Sequence, residues 1–303
     1  MAVNFFIVGA AKSGTTSIAN YLNQHPDVFI PSVKEPKYFT VKDNIFPHNG
    51  PGDNIIDELV VRDLAEYNAL YLGKDDVTCG DASVDYLFYK NAAKRIVNYN
   101  ENSKIIIILR NPVDRAYSAY LHLFRDGRET LSFEEALSVE EKRFGRNWEF
   151  FWRYFECGLY SSQVKRYLDL FPLHNIKIIL FDDFVSNELS LIRDLYQFIG
   201  VDSIFVPDVS KKLNESGIPN NRWVYSLMNK KNPIKELVKT FLPKKIRSRI
   251  KSKIDKDNLN KIPMDTRIRE ILIEKYRSDI IDLEEMTGCD LHLWLDDHGR
   301  VII

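Results

Sequence analysis

The chain has 303 residues, with 42 basic and 43 acidic side chains and 45% hydrophobic residues. Folded chains of this mass expose roughly 13,000 Å² against about 51,000 Å² unfolded, so a core needs no covalent staples. Composition excludes disordered, collagen-like and disulfide-scaffold classes, and a net charge of −1 exerts no global pull toward nucleic acid or membrane.

Three scattered cysteines, Cys79, Cys157 and Cys289, suit neither a disulfide framework nor a zinc site and point to a reducing compartment. The longest aliphatic run, Ile105 to Leu109, is far below the ~20 residues of a membrane span. The apolar N-terminus lacks a basic leader and reads as a strand, not a signal peptide. The expectation is a cytoplasmic protein.

In chain order, Val3 to Val8 predicts a buried strand ending at Gly9. The turn Gly9-Ala10-Ala11-Lys12-Ser13-Gly14 follows. A helix is predicted over Thr15 to Gln24, with Ile18, Tyr21 and Leu22 on one face. Val28 to Ile30 is a short strand, and residues 40–57, rich in Asn, Asp, Gly and Pro, form a loop. Val60 to Leu72 predicts a helix with Leu64, Tyr67 and Tyr71 inward. Val77 to Asp81 predicts a strand, Lys90 to Asn98 a helix, and Lys104 to Leu109 a strand buried on both faces. Pro112 suits the first turn of the next helix. Helices over 132–143 and 160–171 follow, then a strand at Ile176 to Phe181 and a helix from Glu188 to Ile199 stopped by Gly200. Residues 208–221 read as an irregular loop, a last helix runs near 265–286, and Trp294 and Leu295 close the fold.

Alternating strands and helices predict an α/β fold: a P-loop-like parallel sheet flanked by helices, with a helical C-terminal extension. We expect a single domain over 1–303, its core ending near 205. The segment 230–256 carries eleven Lys/Arg against Glu236 and Asp255, a local excess of nine. Ile246, Ile250 and Ile254 make it an amphipathic helix candidate. It fits a solvated face, a polyanionic acceptor or an anionic membrane surface.

Gly9 to Thr16 has the G-x-x-x-x-G frame between a strand and a helix, the context in which backbone N–H groups converge on an anion. A triphosphate-binding loop places lysine directly before the Ser/Thr. Here that position is Thr15, and the lysine is Lys12, inside the turn. Arg110 stands after the strongest strand, where a magnesium-binding acid would be expected. No metal site is read; an anion that needs no metal, a phosphosulfate, fits this pattern.

These residues resemble the PAPS-dependent sulfotransferases, most nearly bacterial members related to the heparan-sulfate sulfotransferase domains. Four stretches carry the likeness: residues 5–16; Lys34-Glu35-Pro36-Lys37-Tyr38-Phe39; residues 108–118, from Ile108 through Arg110-Asn111-Pro112 to Ser118; and the C-terminal half, with Phe181-Asp182-Asp183-Phe184, Gly200, Asp290-Leu291 and Trp294-Leu295. The resemblance implies PAPS as donor and PAP as product. It gives Lys12 the oxygen bridging sulfate and phosphate, and gives Ser13, Gly14, Thr15, Thr16 and Ser17 the 5′-phosphate. Arg110 and Ser118 take the 3′-phosphate, with Tyr160 in the same region, and Glu35 is the general base. The acceptor would be a carbohydrate or small molecule, with no nucleic-acid partner. Asp81-Ala82-Ser83 departs from the heparan type, which carries a lysine there, and residues 214–217 match the adenine-side loop loosely.

Pro36 biases Glu35 toward extended backbone, a way to aim a carboxylate into a cleft. His25, the rival base, reads as a helix-end cap. Two other classes compete: a P-loop kinase, which calls for magnesium and a lysine beside Thr15, and a non-catalytic nucleotide-binding or membrane-docking protein led by the basic segment.

Overall fold

The computed structural model describes residues 3–33, 35–210 and 263–296, together with the backbone of Ile218–Pro219 and Leu259–Asn260. The basic segment 230–256 and residues 214–217 lie outside the described residues.

Five strands form one parallel sheet: β1 Phe5–Gly9, β2 Val28–Phe29, β3 Thr78–Asp81, β4 Lys104–Leu109 and β5 Ile176–Leu180, in spatial order β2-β3-β1-β4-β5. β4 has the predicted boundaries, and Ile105 to Leu109 are fully buried. The period-two alternation of strands explains how. Phe6, Val8, Ile105, Ile107 and Leu109 face one core, while Phe5, Ile7, Ile106 and Ile108 face the other.

Among the described residues the helices, in chain order, are α1 Thr15–Leu22, α2 Asp53–Asp57, α3 Leu64–Ala69, α4 Ala92–Tyr99, α5 Pro112–Arg125, α6 Phe133–Ser138, α7 Glu140–Phe144, α8 Tyr160–Leu168, α9 Phe181–Ser186, α10 Glu188–Ile199 and α11 Thr266–Thr287. α1 and α10 supply the core on one face of the sheet; α4, α5, α8 and α11 supply the other. The chain therefore leaves β1 toward one face and β4 toward the opposite face. Adjacent strands with diverging connections make a switch point, and ligands of open α/β sheets bind at such carboxyl ends.

Local chemistry sets the boundaries. Asn111 caps α5, its side chain accepting from Val113 N at 3.0 Å, with Pro112 in the first turn. Gly200, at φ 83°, stops α10. α11 caps α8 from outside: Asp279 accepts from Tyr160 N at 2.6 Å and from the Ser161 hydroxyl at 2.5 Å.

Four elements differ from expectation. Residues 40–57 are not all loop: Tyr38–Asp43 is a 3₁₀ turn and Asp53–Asp57 a short helix. The cause is Asp53, fully buried and accepting from Gly50 N, Glu149 N and Trp152 Nε1. The helix expected over 60–72 begins only at Leu64, because Asp63 caps it and Val61 N is drawn to the Pro36 carbonyl. The helix over 132–143 is two helices meeting at Val139. Glu140 turns inward to accept from Phe155 N at 2.8 Å and Glu156 N at 3.1 Å. Within the loop expected at 208–221, Ile218–Pro219 pairs antiparallel with Leu259–Asn260.

All three cysteines are free thiols. Among the described residues no helix is long and apolar enough to cross a membrane.

Candidate active site

The turn after β1 lies at the switch point. Ala10 N donates to the Ile108 carbonyl at 2.7 Å, tying the turn to β4. Leu87 N donates to the Val8 carbonyl at 2.8 Å, bringing segment 83–89 along its other side. Gly9 has φ 154°, and a Cβ there would stand 2.7 Å from Leu87 Cβ. Gly14 has φ 84°, and its Cβ would press the Phe181 ring at 3.1 Å. Neither position takes a side chain without strain.

Gly14 is also the N-cap of α1, so no side chain occupies the amides of the first turn, and no acid sits within it. Such an end favours an anion. Ser13 is fully buried, and its Oγ has no hydrogen-bond partner among the described residues. An orphaned hydroxyl is costly unless a ligand completes it. Thr15 is buried, and Thr16 and Ser17 are half-buried. This turn therefore has the chemistry of an anion site.

Arg110, at the end of β4, reaches across the switch point. Its Nη1 donates to the Lys12 carbonyl at 3.2 Å, and its guanidinium stacks on Phe181 at 4.8 Å. Burial draws its pKa below the ordinary arginine value, yet guanidinium remains charged at any physiological pH. Tyr160 is fully buried and donates its hydroxyl to the Arg110 carbonyl at 3.0 Å. Burial pushes that phenol up to about 12, so it stays a donor. Ser118 lies buried on α5, which Asn111 launches directly from Arg110. The structure thus brings Lys12, Ser13, Gly14, Thr15, Arg110 and Tyr160 to one end of the sheet.

Glu35 is half-buried. Its backbone is not extended as Pro36 suggested: φ is 56°, in the left-handed region. The compact 3₁₀ turn at Tyr38 and the Val61 bond to the Pro36 carbonyl outweigh the proline bias. Among the described residues the non-glycine positions with positive φ are Lys12, Glu35, Lys37 and Asn147. Three of the four fall on the two motifs, and strained backbone concentrates at working sites.

Below Glu35 lies a buried charge cluster. Lys37 Nζ donates to Glu149 Oε1 at 2.8 Å. Burial opposes its charge, but Glu149, Asp85 and Glu35 together hold it above its ordinary value. Burial raises Asp85 to about 7 against the pull of Lys37. The Thr40 hydroxyl lies 2.7 Å from Asp85 Oδ2 and 2.9 Å from the Lys37 carbonyl. Asp81, at the end of β3, accepts from Ser83, Tyr67 and Tyr86. Burial nevertheless lifts it to about 6.

Asp81, Ser83, Asp85 and Glu149 carried no functional signal in the sequence. Besides near neighbours, each has a partner 14 to 112 positions away, and no short spacing reveals that. Lys37 was visible only as a neighbour of Glu35. His25 is buried, with Nε2 2.9 Å from the Asp202 carbonyl and Nδ1 accepting from Asp27 N. It is a structural tie, though to the segment after α10 and not to the carbonyls of α1.

Comparison with known proteins agrees with this geometry. The family model described as "Sulfotransferase domain" matches residues 3–265. A sulfotransferase crystal structure from Alicyclobacillus acidocaldarius is 37% identical, covering 98% of this chain and 100% of its own, with a TM-score of 0.79. The membrane-associated sulfotransferase kil1 of Dictyostelium discoideum is 24% identical over 66% of this chain and 56% of its own. Mouse heparan sulfate glucosamine 3-O-sulfotransferase 3B1 is 26% identical over 65% of this chain and 46% of its own. The chain spans about half the length of these curated relatives. It belongs to the sulfotransferase family, and its parallel sheet with flanking helices is the sulfotransferase fold.

Proposed function

We propose that the protein transfers a sulfuryl group from PAPS to an acceptor hydroxyl, or an amine, of a carbohydrate, glycolipid or small natural product. The observation that carries this reading is the Arg110 bond to the Lys12 carbonyl. It brings a second cationic side chain beside a phosphate-type turn, which supports a donor with more than one anionic group.

PAPS supplies an activated sulfuryl group whose leaving group is a phosphate oxygen. Ser13, Thr15, Thr16, Ser17 and the first amides of α1 would hold its 5′ end. Arg110 and Ser118 would hold its 3′-phosphate, with Tyr160 fixing the Arg110 backbone. Glu35 would take the acceptor proton as the new oxygen–sulfur bond forms. Lys12 would meet the negative charge that collects on the bridging oxygen as the old bond breaks. A cation placed where charge develops lowers the barrier selectively. Names of relatives that include heparan sulfate support a carbohydrate acceptor.

Labelled donor tests the reading. Lys12→Ala should cost about a thousandfold in turnover with an unchanged unfolding midpoint. Glu35→Gln should lower kcat roughly a hundredfold with product-nucleotide affinity intact. Wild-type rates in either variant remove that residue from the mechanism.

A further inference from the structure

Glu35 sits in a turn that its own sequence disfavours. Pro36 biases it toward extended backbone, yet Glu35 and Lys37 both lie in the left-handed region, at φ 56° and 55°. Residues other than glycine keep such angles where the surrounding contacts over-determine them. On one side, Val61 N donates to the Pro36 carbonyl at 2.9 Å. On the other, Lys37 N donates to Ser83 Oγ at 3.1 Å.

Ser83 is fully buried, and its hydroxyl is committed. It donates to Asp81 Oδ1 at 2.7 Å, which leaves a lone pair for the Lys37 amide. Asp81 is fully buried as well, and Tyr67 and Tyr86 each donate to its Oδ2 at 2.8 Å. With both oxygens engaged, the carboxylate holds the Ser83 hydroxyl in one orientation. The same two tyrosines pack on the Glu35 motif: Tyr67 stacks on Tyr38 at 5.0 Å, and Tyr86 meets Phe39 edge-on at 5.6 Å. Glu35 is near enough for its charge to act on both Asp81 and Lys37.

Ser83 also opens the segment that lines the turn after β1. β3 ends at Asp81, which stands opposite Phe6 of β1. Val84 shares a buried cluster with Ala11 of that turn, and a Cβ on Gly9 would approach the Val84 carbonyl oxygen to 3.0 Å. Leu87 N bonds the Val8 carbonyl. Ser83 is thus tied to the Glu35 turn through its side chain and to the Lys12 turn through the backbone that follows it.

Resting on the sulfuryl-transfer reading, in which Glu35 is the base, we propose that Ser83 is a positioning residue: its hydroxyl, oriented by Asp81, fixes the Glu35 turn relative to the Lys12 turn. Ser83 takes no part in the chemistry itself. It sets where the Glu35 carboxylate stands when the acceptor proton leaves, and a misplacement of about 1 Å costs about a hundredfold in rate.

The test uses the full chain, labelled PAPS and a desulfated heparan oligosaccharide, with sulfate released to water counted beside transfer. Calorimetry of adenosine 3′,5′-bisphosphate and amide hydrogen exchange run in parallel. Ser83→Ala should lower kcat roughly ten- to a hundredfold, with the oligosaccharide KM and nucleotide affinity unchanged. Exchange should quicken across residues 35–40 while β4 stays protected. Ser83→Cys, which keeps the volume but accepts weakly, should be as slow and serves if the alanine variant fails to fold. Ser83→Thr, which keeps the hydroxyl, should recover most of the rate. In a Glu35→Gln background, where no base is left to position, Ser83→Ala should cost less than about twofold more. A wild-type kcat in Ser83→Ala, or the same fold loss in both backgrounds, overturns the inference and leaves Glu35 as the base. A wild-type rate in Glu35→Gln overturns the base reading and the inference with it. Absence of nucleotide binding and of donor consumption overturns the sulfuryl-transfer reading too.

Discussion

The two motif regions, which the proposed function makes the donor side and the acceptor side, are built by different means. The donor side is mostly backbone: a glycine turn, an uncapped helix end and one arginine braced on Phe181 and Tyr160. The acceptor side is mostly buried side chains, with Lys37, Glu149, Asp85 and Asp81 held by partners from distant segments. A backbone cradle depends on two glycines and a strand register. A charge cluster depends on every member being present. The donor side should therefore tolerate substitutions in its supports better than the acceptor side.

Lys37→Met tests that contrast with the largest expected effect. It strands Glu149 inside the protein, and removing one partner of a buried pair costs about 3–5 kcal/mol. Urea unfolding should show the loss, and pairing it with Glu149→Leu should restore most of it. A single variant as stable as the wild type would make the acceptor side as forgiving as the donor side.

Arg110→Ala probes the donor side. Loss of a charged hydrogen-bonding group should weaken adenosine 3′,5′-bisphosphate binding by about 1.5–3 kcal/mol, with little change in stability. Calorimetry and thermal unfolding on the same sample separate the two. Equal affinity would place the 3′-phosphate elsewhere.

A smaller effect concerns pH. Burial raises Asp85 to about 7 and Asp81 to about 6, so the folded state binds more protons than the unfolded chain between the ordinary carboxylate range and these values. Stability from these groups is present at low pH and falls as pH rises toward 7. Asp85→Asn should flatten that fall between pH 5 and pH 8 in urea midpoints. An unchanged slope would mean that Asp85 is ionised throughout.

The same division governs what the sequence could disclose. β4, α10 and the turn after β1 are decided by neighbours within a few residues: an isoleucine run, a terminal glycine, a strand–turn–helix junction. Their boundaries could be read directly. The acceptor side could not. Glu149 pairs with Lys37 across 112 positions, and nothing near Asp85 marks it as buried beside that lysine. The proline rule misjudged Glu35 for a related reason, since the contact that bends it comes from Val61, 26 residues on. The helix expected over 132–143 broke because Glu140 serves amides on a later segment.

Under the proposed function, the turn between β1 and α1 grips a nucleotide carrying phosphates at both ends. Magnesium-free calorimetry of adenosine 3′,5′-bisphosphate against ATP addresses it most directly. The bisphosphate should bind tightly and one-to-one, more weakly in Arg110→Ala, and ATP should show little affinity. Equal binding of both nucleotides, or of neither, would contradict it.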